Sequence, residues 1–190
     1  MSLSAVILAG GKSSRMGEDK ALMPFVNSTT MTEYQYLRLK KLFKQVFLSA
    51  KEDKFAFGAD IILDNYPESS PMVAIASILE ELNDDFFLIS VDMPLLSLEA
   101  IEKLISVYNS ARGYDCYLLK SPNGLEPTAA IYSKQVAEKV KLLLAQDIHK
   151  LHYLIERINV KSVAWEIIED FTNINDKESY KYAKSQIYVK

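Results

Sequence analysis

The sequence predicts an α/β fold, a three-layer α/β/α sandwich around a Rossmann-like, mainly parallel sheet. Short apolar runs with the length and β-branched content of buried strands alternate with segments whose apolar residues recur at helical spacing. Three of the predicted strands end at glycine or aspartate, where open sheets of this kind bind ligands. Such an alternation is typical of a parallel sheet covered by helices on both faces.

The first half of the chain supplies most of the predicted parallel strands. A strand at Ala5–Ala9 leads into a polar loop and then into a helix near Thr30–Phe43. Thr30 and Glu33 have capping-box spacing, which supports that helix start. The elements that follow are strands at Val46–Leu48 and Ile61–Leu63, a helix from Pro71 through Leu82, a central strand at Phe86–Ile89 that extends to Val91, and a helix capped by Ser97.

The second half continues the alternation to the end of the chain. Its predicted elements are strands at Cys116–Leu119 and Thr128–Tyr132, a helix marked by Val136, Val140, Leu143 and Leu144, a helical stretch at Leu151–Ile158, a strand at Val160–Ile168, and a last helix from Asp176. A chain of 190 residues is long enough for one domain with a sizeable core, and we expect a single domain over residues 1–190.

Composition and charge indicate an ordinary soluble protein. Apolar residues make up 49% of the chain, charged residues 25%, and the net charge is −3, which favours neither a nucleic-acid nor a membrane partner. The single cysteine, Cys116, excludes an internal disulfide framework, and its strand context predicts a buried, inert thiol. With no secretory leader and no apolar run near the roughly 20 residues of a membrane span, we expect a cytoplasmic location.

The most informative segment lies at the end of the first strand. The apolar run stops at Ala9-Gly10-Gly11, and Arg15 and Lys20 follow. Adjacent glycines let backbone N–H groups approach an anion, and the two cations suit phosphate oxygens. The alternative is a surface loop with a solvated charge pair. The glycine spacing fits neither a Walker A loop nor the dinucleotide fingerprint.

Two aspartates follow predicted strands. Asp92 comes directly after the central strand, where a carboxylate loses hydration unless a partner compensates it. Mg²⁺ held together with substrate phosphates is one such partner, and a turn cap before Pro94 is the alternative. Asp64 ends another strand, and alone Asp64-Asn65 is typical of a turn.

Two further polar groups are best explained by structure alone. Asn175 or Asp176 is suited to cap the last helix. His149 and His152 lie three residues apart on a predicted helix without a clear carboxylate partner. We expect them to be surface or half-buried residues rather than metal ligands.

The N-terminal segment resembles the nucleotidyltransferase signature L-A-G-G-x-S-x-R-M-G-x-D-K. It looks most like the form found in the molybdenum cofactor guanylyltransferases, which join GMP to molybdopterin, and these also carry F-x-N-I-N near the C-terminus. The matching residues are Leu8-Ala9-Gly10-Gly11, Ser13, Arg15-Met16-Gly17, Asp19-Lys20, Phe171, and Asn173-Ile174-Asn175.

The resemblance implies a role for each matching position. It implies an Mg²⁺-dependent enzyme that uses GTP and molybdopterin, binds neither nucleic acid nor membrane, is a monomer or weak homo-oligomer, and touches other cofactor-synthesis proteins at most transiently. The implied residues are Arg15, Lys20 and Asp92 for catalysis; Leu8, Ala9, Gly10, Gly11, Lys20, Asp64 and Asp92 for the nucleotide; Asp92 for the metal; and Asn173 and Asn175 for the acceptor.

One segment departs from the family pattern. Where the family has Gly-Pro-Leu-x-Gly, this chain has Ser70-Pro71-Met72-Val73-Ala74, so the segment leaves the base preference open. Alternatives are a nucleotidyltransferase that uses CTP or a sugar-phosphate acceptor, and a non-catalytic nucleotide-binding regulator. The asparagine pair and the short chain argue against the sugar version, and Arg15, Lys20 and Asp92 together argue against the regulator.

Overall fold

One seven-stranded sheet forms the centre of the computed structural model, which describes residues 3–10 and 17–188. The strands are β1 (Ser4–Leu8), β2 (Val46–Ala50), β3 (Asp60–Leu63), β4 (Phe86–Ser90), β5 (Cys116–Ser121), β6 (Gly124–Tyr132) and β7 (Val160–Ala164). Their order is β3-β2-β1-β4-β6-β5-β7. Among these strands only β6 runs antiparallel to its neighbours, so the prediction of a mainly parallel sheet is confirmed.

Helices cover both faces of the sheet. They are α1 (Met31–Leu39), α2 (Pro71–Leu82), α3 (Leu98–Ser110), α4 (Ala137–Leu144), α5 (Leu151–Ile155) and α6 (Lys177–Tyr188). Residues of β4 alternate between two cores, with Phe87 and Ile89 packing with α1, α3 and α6, and Phe86 and Leu88 packing with α2, α4 and α5. This alternation is the period of a strand buried on both faces, and it confirms the three-layer sandwich.

The predicted helix starts are confirmed by their caps. The side chains of Thr30, Ser70 and Ser97 each accept a backbone N–H from the first turn of the helix that follows. The carboxylate of Glu33 also accepts from the N–H and the hydroxyl of Thr29, just before the helix. These bonds lower the pKa of Glu33.

Several predicted boundaries were wrong, each by a few residues. The first strand lies one residue earlier, α1 ends at Leu39, α5 ends at Ile155, and β6 begins at Gly124 because it forms a hairpin with β5. The strand predicted at Val160–Ile168 stops at Ala164, since its partner β5 turns into β6 after Ser121. Residues 165–167 have no regular structure, and a short 3₁₀ turn, Ile168–Phe171, begins at the last residue of the predicted strand.

Two other expectations concern burial and membrane spanning. Cys116 is buried, as predicted, and that burial raises the pKa of its thiol. Within residues 3–10 and 17–188, no helix combines the length and apolar content that crossing a bilayer requires.

Candidate active site

The carboxyl ends of four parallel strands bring the predicted site residues to one edge of the sheet. Gly10 lies after β1, Asp64 after β3 and Asp92 after β4, and β2 runs parallel between the first two of these strands. The strand ends remain bonded to one another: the N–H of Ala9 donates to the carbonyl of Ser49 at 2.9 Å. Residues far apart in sequence therefore converge as the fold class predicts.

Lys20 and Asp92 form an ion pair at this edge. The distance from Lys20 Nζ to Asp92 Oδ2 is 3.1 Å, and the two side chains are only 18% and 21% exposed. Lys20 begins a short 3₁₀ turn, Lys20–Leu22, whose first N–H groups are capped by Asp19. Asp19 is itself paired with Lys54. Two segments separated by about 70 residues thus meet in one charged contact.

A third segment joins the same contact through its backbone. Lys20 Nζ also donates to the carbonyl of Ile174 at 2.9 Å, and the N–H of Ile174 donates to the carbonyl of Asp92 at 2.8 Å. Ile174 is fully buried, whereas Asn173 and Asn175 on either side of it are exposed. The segment that carries both asparagines is therefore held against the loop that carries Asp92.

Asp176 caps α6, a role that the sequence left open between Asn175 and Asp176. Its carboxylate accepts from the N–H of Ser179 at 2.8 Å in the first turn of α6, and these bonds lower the pKa of Asp176. Asn175 contributes its backbone N–H to the hydroxyl of Ser179 at 3.0 Å. Because Asp176 caps the helix, the exposed side chains of Asn173 and Asn175 are not required for that purpose.

A cleft of about 610 Å³ opens at the same edge of the sheet, between the ends of β1 to β3 and the start of α2. A Cβ atom at Gly10 would meet Ala50 Cα at 3.6 Å and Asp64 Oδ2 at 3.9 Å, which are ordinary contact distances. Packing within the chain therefore does not require glycine at this position. The residues that line the cleft are Leu8, Gly10, Ser49, Lys51, Asp64, Pro67, Glu68, Ser69, Ser70, Pro71 and Ala74.

Asp64 is the titratable group with a shifted pKa in this cleft. Burial raises the pKa of Asp64, and this shift is opposed by a hydrogen bond from Ser49 Oγ at 3.1 Å and by the charge of Lys51. A raised pKa favours the folded protein at pH values below the pKa of the unfolded chain. That contribution is lost as the pH rises through the folded value.

The segment that departs from the family pattern forms one wall of the cleft. Ser70 caps α2 by accepting from the N–H of Val73 at 3.1 Å, and its hydroxyl lies 3.2 Å from Nδ1 of His149. Ala74 is buried and lines the cleft, where a glycine would leave more room. The two replacements therefore add a helix cap and a methyl group at this wall.

The two histidines behave largely as expected. His149 is half-buried and His152 is exposed. Two details were wrong: His149 precedes α5, which begins at Leu151, and His149 has a carboxylate partner. His149 instead bridges Ser70 and Asp147, whose Oδ1 lies 3.0 Å from His149 Nε2.

Some site residues were missed, and two predicted ones lie outside the described residues. Ser49 and Lys51 line the cleft at the end of β2. The rule that ligands bind at the carboxyl ends of the strands located Asp64, and it could also have located these two residues. Neither has a glycine or carboxylate to mark it in the sequence. Gly11 and Arg15 fall outside residues 3–10 and 17–188.

Fold and site together define a class: this is a protein of the nucleotidyltransferase fold, with a cation–carboxylate pair at the carboxyl edge of its sheet. A structure of this fold, molybdopterin-guanine dinucleotide biosynthesis protein A from Archaeoglobus fulgidus, superposes with a TM-score of 0.81 at 22% identity, covering 99% of this chain and 100% of that one. A family model described as the MobA-like NTP transferase domain matches residues 5–161. The chain belongs to that family.

Curated relatives match over nearly the full length. A protein of Campylobacter jejuni subsp. doylei named molybdenum cofactor guanylyltransferase is 35% identical over 188 residues, which is 97% of both chains. A protein of the same name from Helicobacter pylori P12 is 32% identical over 190 residues, covering 95% of this chain and 91% of its own. The chain is therefore similar to these proteins from end to end.

The substitution Ser49→Ala should raise the pKa of Asp64 further, because the hydroxyl of Ser49 stabilises the charged carboxylate. The measurement is a ¹³C NMR titration of the Asp64 carboxyl group. Ser185→Ala, which removes an exposed hydroxyl on α6, serves as the control and should leave that titration unchanged. An Asp64 pKa that stays constant or falls in Ser49→Ala would contradict the assigned cause.

Proposed function

We propose that this protein transfers GMP from GTP to the phosphate of molybdopterin in molybdenum cofactor biosynthesis. An oxygen of the molybdopterin phosphate forms a bond to the α-phosphorus of GTP, the bond from that phosphorus to the bridging oxygen breaks, and pyrophosphate leaves. The observation that carries this proposal is the Lys20–Asp92 pair at the carboxyl edge of the sheet, where the cleft also opens. Lys20 connects this pair to the Asn173–Asn175 segment through the carbonyl of Ile174. The names of the full-length relatives support it.

The nucleotide side of the reaction is assigned to the cleft and the loop before it. Leu8, Ala9 and Gly10 would hold the nucleotide by their backbone, and Asp64 would accept hydrogen bonds from the nucleoside. Since packing does not require glycine at position 10, close approach of a ligand is a reason to have one there. We also assign Gly11 and Arg15 to the nucleotide, and this assignment rests only on their positions in the signature motif.

The phosphates are assigned to Lys20. Transfer of a phosphoryl group requires positioning and stabilisation of charge more than a protein nucleophile. The ammonium of Lys20 donates to the carboxylate of Asp92 and to the carbonyl of Ile174, so its place is set before a substrate binds. A preorganised cation of this kind offsets the negative charge that develops on the transferring group.

Asp92 fits the magnesium ion that we propose as cofactor. A carboxylate oxygen is a hard ligand, and Mg²⁺ at phosphate sites is commonly held by one or two carboxylates with the substrate phosphates completing its shell. Asp92 is partly exposed at the exit of β4, and its backbone is tied to Ile174. When bound, Mg²⁺ would neutralise phosphate charge and polarise the α-phosphoryl group.

The acceptor side is assigned to Asn173 and Asn175. Both amides are exposed next to the Asp92 loop, and each offers donors and acceptors for pterin or phosphate oxygens. We further propose one cytoplasmic domain over residues 1–190 that acts as a monomer or weak homo-oligomer, with at most transient contacts to other cofactor-synthesis proteins.

The deciding experiment measures pyrophosphate release with GTP, CTP, ATP and UTP, each with and without molybdopterin and Mg²⁺. We expect release from GTP only when both molybdopterin and Mg²⁺ are present. Faster release from CTP would favour the cytidylyl alternative, and release that depends on a sugar phosphate would favour the sugar-nucleotide one. Nucleotide binding without release under every condition would favour a regulator. The comparison of bases is essential because Ala74 lines the cleft where the family has a glycine, and this replacement leaves the base preference open.

Replacing Lys20 should remove most of the activity. Loss of one preorganised charge contact to the transferring group lowers kcat by on the order of 10²–10³. Lys103→Ala is a matched control, because Lys103 also donates to a backbone carbonyl, that of Ala164 at 3.0 Å, but far from the site. Steady-state rates of Lys20→Ala within a few-fold of wild type would remove Lys20 from the mechanism.

The asparagine pair should affect the acceptor more than the nucleotide. The double variant Asn173→Ala/Asn175→Ala should bind GTP normally in calorimetry and transfer GMP poorly. The adjacent control is Asp176→Ala, which removes the helix cap and should lower stability by about 1 kcal/mol while transfer persists. Normal transfer by the double variant together with a lowered Tm would show that the two asparagines are structural.

A further inference from the structure

Helix α1 carries three polar side chains on one face, spaced three residues apart: Thr32, Gln35 and Arg38. Residues at this spacing are neighbours on a helix surface. Thr32 and Gln35 are fully buried, and Arg38 is half-buried. This polar ladder faces the protein interior, where apolar side chains would be the ordinary choice.

Each member of the ladder donates to the backbone of a loop that carries a proposed catalytic residue. Thr32 Oγ1 donates to the carbonyl of Ala21 at 2.8 Å, next to Lys20. Gln35 Nε2 donates to the carbonyl of Met93 at 3.0 Å, next to Asp92. One helix face thus holds the chain directly after both partners of the ion pair.

Arg38 donates to further backbone carbonyls of the Asp92 loop. Its guanidinium donates to the carbonyl of Pro94 at 2.7 Å and to the carbonyl of Leu96. It also donates to Oε1 of Gln35 at 2.8 Å, which turns the amide so that its NH₂ group points to Met93. A planar, always charged donor suits this arrangement better than a flexible ammonium.

The carbonyls that the ladder satisfies belong to irregular backbone. Loops after strands lack the regular ladder of hydrogen bonds, and buried carbonyls need partners from elsewhere. A rigid helix that supplies those partners at a fixed spacing sets the position of the loops relative to each other. Apolar packing alone is not directional, so it would not fix the position of these loops relative to the helix.

We propose that Thr32, Gln35 and Arg38 are positioning residues that set the Lys20–Asp92 geometry for catalysis. They do not line the cleft, so they act through the loops and not on the substrate. The inference rests on the proposed function, because the geometry matters only if Lys20 and Asp92 serve the transfer. A misplacement of about 1 Å at such a centre can lower the rate by about 10²-fold.

The main test uses Gln35→Met, which keeps the length of the side chain and removes the donor to Met93. We expect kcat to fall at least 10-fold and the Mg²⁺ concentration at half-maximal rate to rise, while the calorimetric Kd for GTP stays within about two-fold. Leu39→Met is the control: it alters a buried apolar residue of the same helix without removing a hydrogen bond, and kcat should persist.

A second pair of variants keeps the test valid if Gln35→Met does not fold. Thr32→Val removes the hydroxyl at nearly constant volume, and Thr32→Ser restores it. We expect Thr32→Val to lose activity and Thr32→Ser to regain it. Wild-type kcat in Thr32→Val or Gln35→Met with only a lowered Tm would show that the ladder is merely structural, and would overturn the proposal.

A crystal structure of Gln35→Met separates failure of this inference from failure of the proposed function. The separation of Lys20 Nζ and Asp92 Oδ2 should increase beyond the present 3.1 Å. That result is independent of the reaction that wild type catalyses. If wild type does not transfer GMP but the pair separates in the variant, the proposed function fails and the positioning stands. An unchanged pair in the variant overturns the positioning.

Discussion

The contact between Lys20 and Asp92 governs the organisation of this protein's sheet edge. A carboxylate at the exit of a central strand loses part of its hydration, and the compensating charge comes from a loop about 70 residues earlier in the chain. The same ammonium also donates to the carbonyl of Ile174, so removal of the Lys20 charge would also loosen the C-terminal segment. The proposed catalytic geometry and the local structure therefore depend on the same atoms.

The loop after β4 is held from two sides. Helix α1 supplies donors from one side, through Gln35 and Arg38. From the other side the buried carboxylate of Asp170 accepts from the N–H and hydroxyl of Ser97 and from Nε1 of Trp165. Because Asp170 lies just before the Asn173–Asn175 segment, it ties that segment to the end of the same loop. The proposed metal and acceptor groups are thus fixed to one common element.

The sequence allowed prediction of what local rules govern. Strand ends located Gly10, Asp64 and Asp92. Polar caps located the starts of α1 and α3, and Pro71 located the start of α2. Features that depend on the partner strand were not predictable in the same way. The early end of β7 follows from the turn between β5 and β6, which lies about 40 residues earlier and has no signal inside β7 itself.

The polar ladder of α1 shows a second limit of local reasoning. A threonine, a glutamine and an arginine on one side of a helix ordinarily indicate the face toward solvent. Here that side faces the interior, because the two loops beside it present carbonyls that accept from these side chains, some from residues 58 positions away. Only the assembled fold brings those acceptors to the helix, so no pattern within α1 could have revealed them.

Asp64 and Asp92 lie at the same sheet edge but in different electrostatic surroundings. Asp92 is paired directly with an ammonium group, whereas Asp64 receives a neutral hydroxyl from Ser49 and feels Lys51 only as a more distant charge. Burial therefore dominates at Asp64 and raises its pKa. A carboxylate with little ionic compensation is suited to accept hydrogen bonds from neutral donors such as those of a nucleoside. A carboxylate that lies beside a cation, as Asp92 lies beside Lys20, is suited to share a metal with phosphates. This contrast supports the division of roles between the two aspartates in the proposed reaction.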